Sequence, residues 1–205
     1  MKEINGPVLP GYKIYEYQLV FSPHEDLQNR IREVRKAFGD TYEIETFRRS
    51  KPNILLVSFV QYEMMEERIT NHLKTIAMGC QPLKIVLKDY GCFPSHTIYI
   101  AVTSKINIQH LVKQIRTETQ RLLKLNDDNK PHFIMEPHIT VAQKLKPWQY
   151  EKGWLEYSHK HFTGSFIADA MLLLKRPLGD IKYEIAKRFE FQNLPVATKQ
   201  GELFY

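Results

Sequence analysis

The chain has little cysteine: Cys80 and Cys92 are the only two, with eleven residues between them. Two thiols at that spacing build neither a disulfide framework nor a zinc site, and reduced thiols suit a cytoplasmic protein. Long apolar runs are missing too, none approaching the ~20 residues that cross a bilayer. The first residues, MKEINGPVLPGYK, carry no apolar segment of the kind a secretion signal needs. A cytoplasmic protein without a membrane partner is therefore expected. No Gly-rich phosphate loop, Gly-x-Ser-x-Gly turn or metalloprotease helix motif occurs, which leaves those three chemistries without sequence support. Nor are the histidines spaced for a metal. His132 and His138 lie six apart, and His159 and His161 share a strand face without an acidic or Cys group to complete a site. No metal and no cofactor are expected.

What the chain does have is ordinary globular material. Of its 205 residues 43% are hydrophobic and 25% charged, ample for a core and for one domain, bilobal rather than two independent units. Residues 1–192 are expected to form it, with 193–205 as a loosely attached tail. The formal net charge of +6 leans toward anionic partners such as RNA or a small nucleotide phosphate, without choosing between them. Oligomeric state is left open.

Strand and helix patterns alternate along the chain. YKIYEYQLVF, Tyr12 to Phe21, is rich in aromatic and β-branched residues and reads as a strand. Leu27, Ile31, Val34 and Phe38 recur at helical spacing, with Gly39 as the expected stop. TYEIETF, residues 41–47, alternates like a half-buried strand. NILLVSFV, Asn53 to Val60, is a nearly continuous apolar run and reads as a central strand. Met65, Ile69, Leu73 and Ile76 predict a second helix ending near Gly79, followed by strands at Leu83–Lys88 and Thr97–Val102. A third helix is expected from about Ile108 to Leu125, then a polar loop, NDDNKP. After it come a strand near residue 138, a Trp/Tyr-rich connection holding Trp148 and Trp154, and strands at Phe166–Leu174 and Lys182–Phe191. This mixture predicts an α+β fold, two sheet lobes with helices packed outside.

The most chemically pointed segment is EPHITVAQK, Glu136 to Lys144. In a strand, residues i and i+2 face the same way, so His138 and Thr140 look out together. A proton-transfer group beside a hydroxyl donor suits a phosphate ester, although a lone histidine in an apolar strand is more often a packed one. Pro137 and a loop precede it, which sets His138 at a strand start, where side chains reach clefts. SHTIYIAV offers an apparent twin, but His96 and Thr97 are adjacent and point to opposite faces. His96 reads as a strand-edge residue, only 42 positions from His138 with a helix filling most of them.

Element order together with PHITVAQ resembles the two-histidine (2H) phosphoesterase superfamily, which includes 2′-5′ RNA ligase and RNA 2′,3′-cyclic phosphodiesterase proteins. The resemblance runs from about Tyr12 to Phe191. It implies a pseudo-symmetric fold of two antiparallel sheets lining a central cleft, with helices outside and one His-x-Ser/Thr motif on each lobe. It also implies a metal-free site, one histidine acting as general base and the other protonating the leaving oxygen. His138 and Thr140 match the second motif. By element order the first motif falls on NILLVSF, where Asn53 holds the histidine position and Leu55 the hydroxyl position, 85 positions before His138. Gln143 stands where many members carry an arginine. Lys51 is the nearest cation on the Asn53 strand face, and Lys144 and Tyr183 are cleft residues by family position, so these join Asn53 and Gln143 as candidate substrate-binding groups.

An Asn amide donates hydrogen bonds but relays no proton at neutral pH, and a positioned acid or base is worth ~10²–10⁴-fold in rate. Three readings follow. The chain is an impaired phosphoesterase acting on a 2′,3′-cyclic phosphate or 2′-5′ linkage, a degenerate member that binds a nucleotide or RNA end without turnover, or a scaffold using another surface such as Trp148–Tyr157.

Overall fold

A computed structural model describes residues 11–44 and 50–194. Strand β1 (Ile14–Phe21) leads to helix α1 (Glu25–Tyr42), whose first amides are capped by His24, with Nδ1 accepting from Leu27 N–H at 3.3 Å. The helix does not stop at Gly39. It runs on to Glu43, which ends it in the left-handed region at φ 55°. Burial of Phe38 and Tyr42 on one stripe, with their rings 4.6 Å apart, outweighs the ~1 kcal/mol cost of an internal glycine. The alternation at 41–47 is therefore not a strand where it is described, because Thr41 and Tyr42 are helical; residues 45–47 lie outside the described residues.

The chain continues through β2 (Ile54–Tyr62), a short 3-10 turn, α2 (Glu66–Gly79), β3 (Leu83–Phe93), β4 (Thr97–Val102) and α3 (Lys105–Leu123). Then come β5 (His132–Phe133), β6 (His138–Ala142), α4 (Pro147–Tyr157), β7 (Thr163–Ala168), β8 (Ala170–Pro177) and β9 (Glu184–Glu190). All pairings are antiparallel, in a five-stranded sheet of order β5-β2-β1-β8-β9 and a four-stranded sheet of order β6-β4-β3-β7. The fold is thus the expected α+β arrangement of two antiparallel sheets.

Two expectations about the chain's later part are corrected. The Trp/Tyr-rich connection is a helix, α4, with Pro147 at its first position, where a missing N–H costs nothing. It packs through Gly153, where an added Cβ would meet Phe38 at 2.7 Å. The single strand expected at Phe166–Leu174 is two strands in different sheets. Ala168 pairs with Leu83 and Ala170 with Glu190, and Asp169 is the crossing point, its carbonyl held by Phe191 N–H at 2.8 Å. Past Gln192 the backbone is bonded as far as Leu194: Asn193 and Leu194 N–H donate to the Cys80 and Met78 carbonyls at 2.9 and 2.8 Å. Residues 195–205 lie outside the described residues.

One core unites both sheets. Tyr17, Leu19, Phe21, Ile54, Leu56, Met171 and Leu173 from the larger sheet pack with Ile98, Ile100, Ile139 and Val141 from the smaller, beneath Ile31, Phe38, Leu73 and Ile115 of the helices. Each such side chain contributes ~1.5–3 kcal/mol of transfer free energy. Strand alternation then turns the intervening residues to the helix-free side of both sheets. His138 and Thr140 are found there.

Candidate functional site

The two sheets adjoin along β2 and β6. Phe133 and His132 pair with Val57 and Ser58, and Ile134 N–H donates to Leu56 O at 2.9 Å. The connection into β6 is pinned at every step. Gln109 Nε2 donates to Met135 O at 2.8 Å, Lys105 Nζ pairs with Glu136 Oε1 at 2.8 Å, and Pro137 is buried.

That pinning orients the histidine. Glu136 O lies 2.7 Å from His138 Nδ1. A carbonyl only accepts, so Nδ1 carries the proton and Nε2 keeps its lone pair. Phe93 and Tyr99 close around the ring at 4.9 and 5.0 Å. Burial among them holds the imidazole below its ordinary pKa, against the smaller upward pull of Glu136. It is therefore an unprotonated base at neutral pH. Gly91 makes the packing feasible, since an added Cβ there would lie 2.6 Å from Tyr99 Cε2. Thr140 shares the face of His138 and is half-buried.

Arg35 joins the two lobes, and sequence reasoning missed it. It is 6% exposed on the core stripe of α1. Its Nε donates to Thr140 O at 2.9 Å and its Nη1 to Ser50 O at 3.0 Å, so one guanidinium holds both the His138 strand and the loop leading to Asn53. Burial is the main cause that lowers its pKa to about 10, leaving it protonated at neutral pH. The signal was present in the sequence: an arginine four residues after Ile31 and three before Phe38 interrupts an apolar stripe.

The Asn53 end of β2 is built differently. Asn53 is half-buried and its Oδ1 is fully buried without a partner among the described residues, which leaves the amide nitrogen as its outward group. Leu55 pairs with Val20, and Val20 with Leu172, an apolar row in which Val20 is fully buried and Leu55 and Leu172 are half-buried. The next row is Ser58, Gln18 and Leu174.

The remaining sequence candidates are spread out. Lys51 is an exposed loop residue. Gln143 and Lys144 are exposed past the far end of β6, with Lys144 in the left-handed region at φ 56°. Tyr183 stacks on Arg176, whose Cζ is 4.5 Å from the ring centroid, and Arg176 is ion-paired with Glu16. Burial first, and Glu16 in addition, push the Tyr183 phenol up to about 12. Glu16 lies four residues along β1 from Val20, about 13 Å away. His96 occupies the β3–β4 turn at φ 57°, stacked on Tyr150 with ring centroids 5.0 Å apart and Nδ1 3.0 Å from Leu145 O. Because Ala142 pairs with Ile98 and His138 with Ala101, it sits at the opposite end of β6 from His138. No group of three or more His, Cys, Asp or Glu among the described residues is placed to hold a metal ion.

Comparison with known proteins agrees with this architecture. E. coli LigT in its apo form superimposes with a TM-score of 0.61 at 12% identity, over 87% of this chain and 98% of that one. Its NADP+ complex gives 0.60 at 12% identity over the same shares. A further crystal structure, described only as a phosphoesterase, gives 0.57 at 13% identity, over 88% and 98%. A Bacillus licheniformis protein named as a candidate phosphoesterase is 21% identical over 140 residues, 63% of this chain and 72% of its own. The family model of the 2′-5′ RNA ligase superfamily matches residues 23–180. With that match spanning most of the chain, this protein belongs to the 2′-5′ RNA ligase superfamily.

Proposed function

We propose that the helix-free cleft binds the phosphate of a nucleotide or RNA end and hydrolyses its diester or 2′,3′-cyclic phosphate slowly, with His138 as general base. The observation that carries this reading is the Glu136 O–His138 Nδ1 hydrogen bond, which fixes the tautomer and leaves Nε2 basic. In the reaction Nε2 takes a proton from the attacking water, while the Thr140 hydroxyl and the Asn53 amide donate to phosphate oxygens. Nucleotide phosphate as the ligand class is supported by the fold, since structures of E. coli LigT have been obtained with 3′-AMP and with ATP.

The second reading, binding without turnover, is favoured by the apolar row at Leu55 and by an amide where a proton donor is needed. Incubation with a 2′,3′-cyclic nucleotide separates the two. Slow ring opening that disappears in His138→Ala supports hydrolysis. Thermal stabilisation without product supports binding alone, and neither effect would remove both readings.

A further inference from the structure

A cation stands beside the His138 pocket, and a carboxylate holds it. β4 sets Tyr99 and Ala101 opposite Thr140 and His138, then leads into α3, which carries Lys105. Lys105 Nζ lies 2.8 Å from Glu136 Oε1. Glu136 precedes His138 by two residues, a chain length of at most ~7 Å. The pair also acts on the rings around the histidine. The Tyr99 ring is 5.0 Å from that of His138, and its phenol is raised above the ordinary pKa by burial first and by the Glu136 charge next, with Lys105 acting in the opposite sense. Both members are close to half exposed, the Lys105 side chain at 44% and that of Glu136 at 48%, so a ligand can reach them.

An exposed ion pair of this kind contributes little to stability and is screened by salt, so Lys105 can exchange partners at little cost. A phosphate is the stronger competitor, because it offers several charged oxygens where Glu136 gives one. Resting on the binding of one phosphate at His138 and Thr140, we infer that Lys105 holds the neighbouring phosphate of the same nucleotide. The ligands it selects are nucleotides phosphorylated on both sides of the ribose. The separation fits, since two residues of chain are comparable to the span between the phosphates that flank one ribose. Glu136 keeps Lys105 occupied until the second phosphate displaces it. Its carbonyl stays on His138 Nδ1 throughout, so the exchange leaves the tautomer unchanged. No covalent bond is made or broken; one ion pair replaces another.

The test is calorimetric titration of the full chain at low salt with adenosine 3′-monophosphate, adenosine 3′,5′-bisphosphate and a diadenylate ending in a 3′-phosphate. The readout is the affinity for the bisphosphate over that for the monophosphate, a ratio in which any loosening of the loop cancels. The wild type should favour the bisphosphate roughly tenfold, as one charge-assisted hydrogen bond would. Lys105→Met should bring the ratio near one and Lys105→Arg should keep it, while Lys113→Met, an exposed charge further along α3, should not change it. Glu136→Gln should raise the ratio roughly two- to fivefold, and that gain should vanish when Lys105→Met is added. A diadenylate that gains like the bisphosphate identifies RNA ends as the source of the second phosphate, and a gain confined to the bisphosphate identifies free nucleotides. A wild-type ratio near one, or a ratio that Lys105→Met leaves unchanged, overturns this inference. Monophosphate binding that His138→Ala and Thr140→Val both weaken would then leave the phosphate reading standing. No binding of any of the three ligands, or binding indifferent to those two variants, overturns both.

Discussion

The start of β6 and the start of β2 occupy equivalent places in the two sheets, yet their helix-free faces differ. At β6 the face is polar and held from below: Lys105 and Gln109 fix the loop, Glu136 fixes the His138 tautomer, and Arg35 fixes the Thr140 carbonyl. At β2 the face is Leu55 against Val20 and Leu172, with an Asn53 oxygen buried and without a partner among the described residues. The contrast teaches that two strand starts in one fold can be held in different ways, one by polar contacts from several elements and the other by apolar packing. Arg35 ties the two halves rigidly whatever they carry.

The largest expected effect comes from removing the organised half. His138→Ala should lower His138-dependent diester hydrolysis by ~10²–10⁴-fold, as for loss of a positioned base, in a steady-state assay. Restoring the other half attacks the comparison from the opposite side. Asn53→His with Leu55→Thr should raise turnover of a 2′,3′-cyclic nucleotide by up to ~10²-fold, the low end for one added acid. No gain would mean that the β2 half is misplaced and not merely missing its groups.

The pH dependence sharpens the same contrast. Burial depresses the His138 pKa, so its base form is complete above the ordinary histidine value of about 6.5 and is lost as pH falls through the folded value. The wild-type rate should therefore rise to a plateau at neutral pH with no alkaline limb from a second imidazole, while the double variant should give a bell. Folding stability has the same sign. The unfolded chain takes up this proton more readily, so the His138 contribution disappears on acidification.

Arg35→Met tests the link between the halves. Leaving the Thr140 and Ser50 carbonyls without their donor should cost about 2–4 kcal/mol in urea unfolding. Arg35→Lys, which cannot span both carbonyls, should recover only part of that. The smallest effect belongs to Thr140→Val, whose loss of one neutral donor should weaken nucleotide-phosphate binding roughly two- to tenfold with little change in melting temperature.

Much of this was legible in the residues. Helical spacing at Leu27, Ile31 and Phe38, the apolar run of β2, and His138 and Thr140 two apart on a strand are short-range patterns that the sequence states directly. The errors arose where tertiary contacts override local preference. Gly39 failed to stop α1 because Phe38 and Tyr42 are buried on both sides of it. The Trp148–Tyr157 segment became a helix because Gly153 lets it close on Phe38. The break at Asp169 was invisible because a strand changing sheets keeps its alternation.

By itself the sequence determined the fold class, the order of most elements and the shared strand face of His138 and Thr140, because side-chain period and residue chemistry are local properties. Only the tertiary structure decided that Arg35 spans the lobes, that Glu136 sets the His138 tautomer, and that Leu55 is backed by Val20 and Leu172. The first and last bring together residues distant in the chain, and the second, though only two residues long, depends on a loop shape that Lys105 and Gln109 hold from α3, so no local pattern encodes any of the three.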